Sequence, residues 1–237
     1  MSRTQRLRHA GGPPRLAGMA APVIVIVGAG PGLGAAIARR FGRAKYAVAL
    51  ISREERQVEG LGKELQAAGV TAGWTAVDVT DSTAFRAAVD RFGGFSGTID
   101  HLHFNPSAFR EKDPLELSPD ELLADVRLGV GALLDAVQAA RPHMQAGGRV
   151  TATGSMAADR PWNRAASLGV QKAALRNLVF SLDTTLKPDG IRAMSLTVNG
   201  TLEAGTPFDV EHVAEALFAA STRDDADWST EVPFDGA

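Results

Sequence analysis

From Val23 to Ala38 the chain reads VIVIVGAGPGLGAAIA, and this stretch decides the fold. Val23, Ile24, Val25, Ile26 and Val27 are an unbroken β-branched run, the pattern of a strand buried on both faces of a parallel sheet. Gly28, Gly30, Gly32 and Gly34 then crowd a turn, and small residues open a helix. Glycine suits that turn because φ must be free and because a side chain would hold the backbone away from a ligand. The unpaired N–H groups and positive dipole end of the new helix favour an anion, usually a pyrophosphate. The stretch predicts a dinucleotide cradle.

Outward from it, strands and helices alternate. Tyr46 to Ile51, Trp74 to Val77, Ile99 to Phe104, Arg149 to Thr153, Ile191 to Thr197 and Thr230 to Phe234 read as strands. Glu54 to Ala68, Ser82 to Phe92, Pro119 to Met144, Ala165 to Leu186 and Val210 to Ala220 read as helices. Ser82 and Ser118 are the expected N-caps, with Pro119 in a tolerated first turn. This alternation implies an α/β protein with a doubly wound, seven-stranded parallel sheet and helices on both faces. Its ligand site is expected at the carboxyl ends of strands one and four.

In 237 residues, 45% apolar content is enough for a sizeable core. A net charge of −2 argues against a nucleic-acid partner, and no run approaches the length of a membrane span. The absence of cysteine excludes a disulfide framework and a thiolate nucleophile, and fits a cytoplasmic protein. Residues 21–237 carry no repeat or linker and read as one domain. Residues 1–20, with Arg3, Arg6, Arg8 and Arg15 among glycines and prolines, read as a disordered tail. An organelle address and a later start at Met19 are the alternatives for that tail.

Gly28, Gly32 and Gly34 follow the spacing Gly-x-x-x-Gly-x-Gly, between a strand and a helix. With that motif and the alternation of residues 21–237, the chain resembles the short-chain dehydrogenase/reductase family. The resemblance implies a Rossmann-type fold, a nicotinamide dinucleotide and a small-molecule substrate. It assigns Gly28, Gly30, Gly32, Leu33 and Gly34 to the pyrophosphate loop and the Asp78-Val79 pair to the adenine. Asn105 and Pro106 stand in Phe-Asn-Pro-Ser where most relatives have Asn-Asn-Ala-Gly; Asn105 is expected to steady the sheet beside the cofactor. Gly200 and Thr201 follow strand six over the nicotinamide, with Thr206 a second carboxamide contact. Strand two ends at Ser52 and Arg53, where an NAD binder would place an acid for the ribose hydroxyls. A guanidinium there suits a 2′-phosphate and favours NADP; Glu54 and Glu55 keep NAD as the alternative, and a solvated charge is the plainer reading of Arg53.

On the catalytic side the resemblance breaks. The family reaction uses a Ser to orient a carbonyl oxygen, a Tyr to protonate it and a Lys to lower the Tyr pKa from about 10. Ser155, in Thr-Gly-Ser-Met-Ala after strand five, matches the Ser, and Lys172, in Gln-Lys-Ala-Ala-Leu, matches the Lys. The Tyr position, one helical turn before Lys172, is Leu168, and the chain's only tyrosine is Tyr46. The helix Asn that supports the relay is Gly129. Lys172 remains to bind the nicotinamide ribose hydroxyls or to donate a proton itself. Asp159, Arg160, His101 and His103 are other donors to weigh, although packed core histidines are the plainer reading of the last two. Pro161 and Trp162 are candidates for a wall of the substrate pocket.

The favoured function is therefore an NADP- or NAD-dependent oxidoreductase that moves a hydride to or from a small carbonyl, alcohol or imine with a non-standard proton donor. A catalytically lapsed dinucleotide-binding sensor or partner subunit is the alternative, and a cofactor-assisted isomerisation the third reading. Leu122, Leu123, Val126, Leu133, Leu134 and Val137, with Leu175, Leu178, Leu182 and Leu186, exceed what one sheet face needs. By the family resemblance they imply a homodimer or homotetramer through the two long helices.

Overall fold

Strand β1 (Val23–Val27) is buried at every residue because it lies between two parallel neighbours and under helices on both sides. The computed structural model, which describes residues 21–236, pairs it with β2 (Ala47–Ser52) and with β4 (His101–Phe104). Strands β3 (Ala72–Ala76), β5 (Arg149–Ser155), β6 (Arg192–Val198) and β7 (Glu231–Phe234) complete an all-parallel, seven-stranded sheet of order 3-2-1-4-5-6-7. Successive side chains of a strand point to opposite faces, so β1 supplies two cores. Ile24 and Ile26 pack with helices α1 (Leu33–Arg43), α2 (Glu55–Ala67) and α7 (Val210–Ser221). Val25 and Val27 pack with α3 (Ser82–Ser96), α5 (Ala132–Ala140) and α6 (Ala166–Leu186). The doubly wound expectation holds. The tail expected at residues 1–20 lies outside the described residues.

Several local expectations are corrected. Ser82 does not cap α3; Asp81 does, its carboxylate accepting the Ala84 N–H at 3.0 Å, while the Ser82 hydroxyl donates to Asp135 at 2.7 Å. Strand β3 begins at Ala72 rather than Trp74, because pairing of Ala72 with Val48 extends the ladder through residues of low intrinsic strand preference. The long helix expected from Pro119 to Met144 is interrupted. Helix α4 (Pro119–Val126) starts at the expected cap Ser118, which forms a capping box with Glu121, passes through a π-helical turn at Arg127–Gly131, and continues as α5. Glycine at 129 and 131 weakens the α-helical pattern there. Of the long-helix stripe, Leu133, Val137, Leu175, Leu182 and Leu186 are core, whereas Leu123 and Leu134 face out.

Helix α6, which carries Lys172, is pinned near its end by a buried ion pair. Asp183 accepts from Arg192 at 2.8 and 2.9 Å, from the Ala193 N–H at 2.8 Å and from Thr230 at 2.9 Å. Burial raises the carboxyl pKa, but the hydrogen bonds from Arg192, Ala193 and Thr230 outweigh it and hold the group below its ordinary value. Removing one partner would leave the other charge buried and unmatched. Asp183→Ala is therefore expected to lower the unfolding free energy by about 3 kcal/mol in urea titrations at pH 7. Because the folded carboxyl titrates below the unfolded one, this contribution is complete above about pH 4 and disappears as pH falls further.

Candidate functional site

The glycine bend is set by its neighbours. The N–H groups of Gly28 and Ala29 both donate to the Ile51 carbonyl of β2, at 2.9 and 3.0 Å. Gly28 takes a left-handed φ of +81° and sits 3.1 Å from the Pro106 ring, measured from the place a Cβ would occupy. Opposite it, a Cβ on Gly34 would stand 2.5 Å from the Gly28 carbonyl oxygen. Above Gly30 and Gly32 the space is open. Helix α1 starts after Gly32 with no side-chain cap and no acid in its first turn, so its positive end is unopposed. An open glycine-lined space over an uncapped helix N-terminus fits a dinucleotide pyrophosphate.

A cavity of about 400 Å³ lies at the carboxyl ends of the central strands. Gly30, Gly32, Leu33 and Gly34 line it from the bend, and Asn105, Ser155, Lys172 and Gly200 from just after β4, the end of β5, the second turn of α6 and the segment after β6. Leu168 lines it as well, one turn before Lys172. The remaining expected residues lie outside its lining. Gly28 and Pro106 back the bend, and Val79 packs on the core. Ser52 ends β2, its carbonyl accepting from Val77 N–H at 2.9 Å. Arg53 is exposed, with its guanidinium 3.3 Å from Glu54. The neighbouring Asp78 carboxyl is held below its ordinary pKa by hydrogen bonds from the Thr80 N–H and hydroxyl, and by the Arg53 charge.

Thr201 is exposed, and Thr206 is turned into its own loop, donating to the Glu203 carbonyl at 2.8 Å and accepting the Phe208 N–H. Trp162 does not wall the cavity; it lies against Phe109, ring centroids 6.1 Å apart. Asp159 is engaged by Arg176 at 2.7 Å, and no helix interrupts residues 201–209.

Asn105 joins three strands at the cavity floor. Its Nδ2 donates to the Gly28 carbonyl at 3.1 Å, and its Oδ1 accepts from the Thr153 hydroxyl at 2.8 Å. Lys172 is buried, its Nζ donating to the Thr153 carbonyl at 2.8 Å, and burial lowers its pKa to about 8. Ser155 Oγ accepts the Ala157 N–H at 3.2 Å, which leaves its own proton free. Ser107, Thr153, Val198 and Leu202 also line the cavity and were not singled out by sequence reasoning. Thr153 had a readable signal, since it shares a strand face with Ser155 two residues on.

His101 Nε2 and His103 Nδ1 both meet the Thr151 hydroxyl at 2.8 Å. Burial, then the charges of His103 and Arg149, hold His101 well below its ordinary pKa; burial and the Lys172 charge take His103 down to about 3. Both imidazoles are therefore expected to stay neutral between pH 5 and 8, with flat C2–H chemical shifts across a proton NMR titration. A titration midpoint for either ring inside that range would contradict this burial.

Comparison with known proteins follows the same lines. Residues 22–209 match the family described as short chain dehydrogenase. The chain is 30% identical over 204 residues to 2,5-dichloro-2,5-cyclohexadiene-1,4-diol dehydrogenase LinX of Sphingobium indicum, covering 81% of this chain and 79% of that one. It is 28% identical over 167 residues to tropinone reductase-like 3 of Erythroxylum coca, covering 70% of this chain and 65% of that relative, so the match spans under two thirds of the latter. Among solved structures, a short chain dehydrogenase from Burkholderia cenocepacia in complex with NADP superposes with a TM-score of 0.81 at 27% identity, covering 92% of this chain and 97% of that one.

Proposed function

This chain belongs to the short-chain dehydrogenase family, and from that premise we propose that it is an oxidoreductase using NADP(H), or alternatively NAD(H), on a small carbonyl, alcohol or imine. The observation that carries the reading is that Lys172 is the single ionisable side chain among the residues lining the cavity. In this reading the amides of Gly30 to Gly34 hold the pyrophosphate, Asp78 and Val79 the adenine, and Gly200 and Thr201 the nicotinamide end. Arg53 pairs with a 2′-phosphate, which favours NADP. The bound nucleotide supplies a hydride donor or acceptor.

The protein's own groups do the rest. The Ser155 hydroxyl, its lone pair already engaged by Ala157, donates to the substrate oxygen. Lys172 holds the nicotinamide ribose hydroxyls and delivers the proton that the family takes from a Tyr. Burial helps here, because an ammonium with a pKa near 8 gives up its proton at neutral pH far more readily than an exposed one. Leu168 has no donor and makes this an atypical branch lacking the catalytic Tyr. Leu168 also favours the second reading, a dinucleotide-binding sensor or subunit without turnover. The exposed Leu123, Val170 and Phe180 on α4 and α6 support a homodimer or homotetramer through these helices.

The test is consumption of NADPH with a carbonyl and imine panel, read beside NADH. Turnover is expected with NADPH preferred, to fall at least about 100-fold in Lys172→Ala, and to decline as pH rises through about 8, where Lys172 loses its proton. NADPH binding with no turnover above the Lys172→Ala variant would leave the sensor reading in place of the oxidoreductase.

A further inference from the structure

Gln171 precedes Lys172 on α6 and is buried. Its amide spans the backbone of Ala108: Nε2 donates to the Ala108 carbonyl at 2.8 Å, and Oε1 accepts the Ala108 N–H at 3.0 Å. Two opposed backbone partners fix which end of the amide is the oxygen. An amide oxygen only accepts, so the Ser107 hydroxyl, 3.3 Å away, meets Oε1 as the donor and turns its proton toward Gln171. Room for this arrangement comes from the π-helical turn, where Gly129 lies beside the amide and a Cβ would run into Oε1.

Ser107 lines the cavity. With its proton turned toward Gln171, its hydroxyl presents lone pairs to a ligand. Ser155, also in the lining, has the opposite polarity, since its lone pair serves Ala157 and its proton is free. Of the three hydroxyls in the lining, Ser155 alone has a free proton; Thr153 gives its proton to Asn105 and has His103 Nε2 3.4 Å from the same oxygen, which leaves Ser107 as the acceptor hydroxyl with no ring against it, beside the apolar Leu168, Val198 and Leu202.

We propose that Gln171 is a positioning residue that makes Ser107 a hydrogen-bond acceptor for the substrate, so that the preferred substrate carries an O–H or N–H beside its reducible carbon. Its carbonyl or imine group meets Ser155 and Lys172, and the neighbouring donor meets Ser107. The proposal rests on reading the cavity as a dinucleotide-dependent oxidoreductase site. Gly129 belongs to the same device: it has no side chain, and Gln171 Oε1 fills the space that a Cβ there would enter.

The test uses the protein saturated with NADP+ and two amides that the nucleotide neither oxidises nor reduces. Benzamide carries N–H donors on its carbonyl carbon, and N,N-dimethylbenzamide carries none. Calorimetry is expected to show benzamide binding about five- to tenfold more tightly, the worth of one hydrogen bond. Ser107→Ala brings the ratio within about twofold, Ser107→Thr preserves it, and Gln171→Leu, which frees the Ser107 proton, abolishes it; NADP+ affinity stays within about twofold throughout. Should Gln171→Leu fail to fold, the two Ser107 variants decide alone. Equal binding of the amides, or no binding of either, overturns the proposal. So does a loss in Ser107→Ala that falls on NADP+ affinity, which would assign that hydroxyl to the nucleotide. If the unaltered protein does not bind NADP+ at all, the oxidoreductase reading itself fails, and this proposal with it.

Discussion

Helix α1 can reach the end of β1 only because Gly34 has no side chain. The place a Cβ would take there is 2.5 Å from the Gly28 carbonyl oxygen and 2.9 Å from the Ala29 Cα, both backbone atoms that have no rotamer to yield. That approach aims the helix N-terminus, uncapped and without nearby acids, across the opening of the cavity. The bend itself is held from three sides. Ile51 of β2 takes its two N–H groups, Asn105 donates to its carbonyl, and Pro106 lies against Gly28. The uncapped end of α1 and the side of the cavity it lines are thus set by one backbone contact.

From the bend a line of buried polar groups runs toward Lys172. Asn105 connects the Gly28 carbonyl to the Thr153 hydroxyl, and the Thr153 carbonyl receives the lysine. The ammonium is buried with a carbonyl dipole but no carboxylate among the residues of the cavity lining, which is why desolvation dominates its titration. Such a cation is well placed to meet negative charge that develops on a ligand oxygen, since little solvent screens it. The two histidines behind it sit under the same desolvation and stay neutral.

Much of this was legible in the chain. The β-branched run and its glycines specify β1, the bend and α1 because burial and backbone freedom leave few residue types free there. Ser155, Lys172 and Leu168 were readable only through the resemblance to the short-chain dehydrogenase family, and all three meet in one cavity. What was not legible depends on partners distant in sequence. Asp81 and Ser82 are both good caps, and the choice between them follows from where Ser82 finds Asp135, 53 residues away. The interruption of the long helix faces Gln171, which no local periodicity reveals. Trp162 turned to Phe109 rather than to the cavity because two exposed rings met across loops. Arg53 and Asp78 were read at the ends of their strands, but they lie outside the cavity lining, where Arg53 meets Glu54 and Asp78 meets Thr80.

The central claim is that the glycine bend seats the pyrophosphate of a nicotinamide nucleotide and delivers its nicotinamide to Ser155 and Lys172. A crystal structure of the protein with NADP+ tests it most directly. The account predicts phosphate oxygens within hydrogen-bond distance of the amides at the start of α1, and the nicotinamide ring in the cavity beside Lys172. A nucleotide bound elsewhere, or a nicotinamide turned away from Ser155 and Lys172, would contradict it.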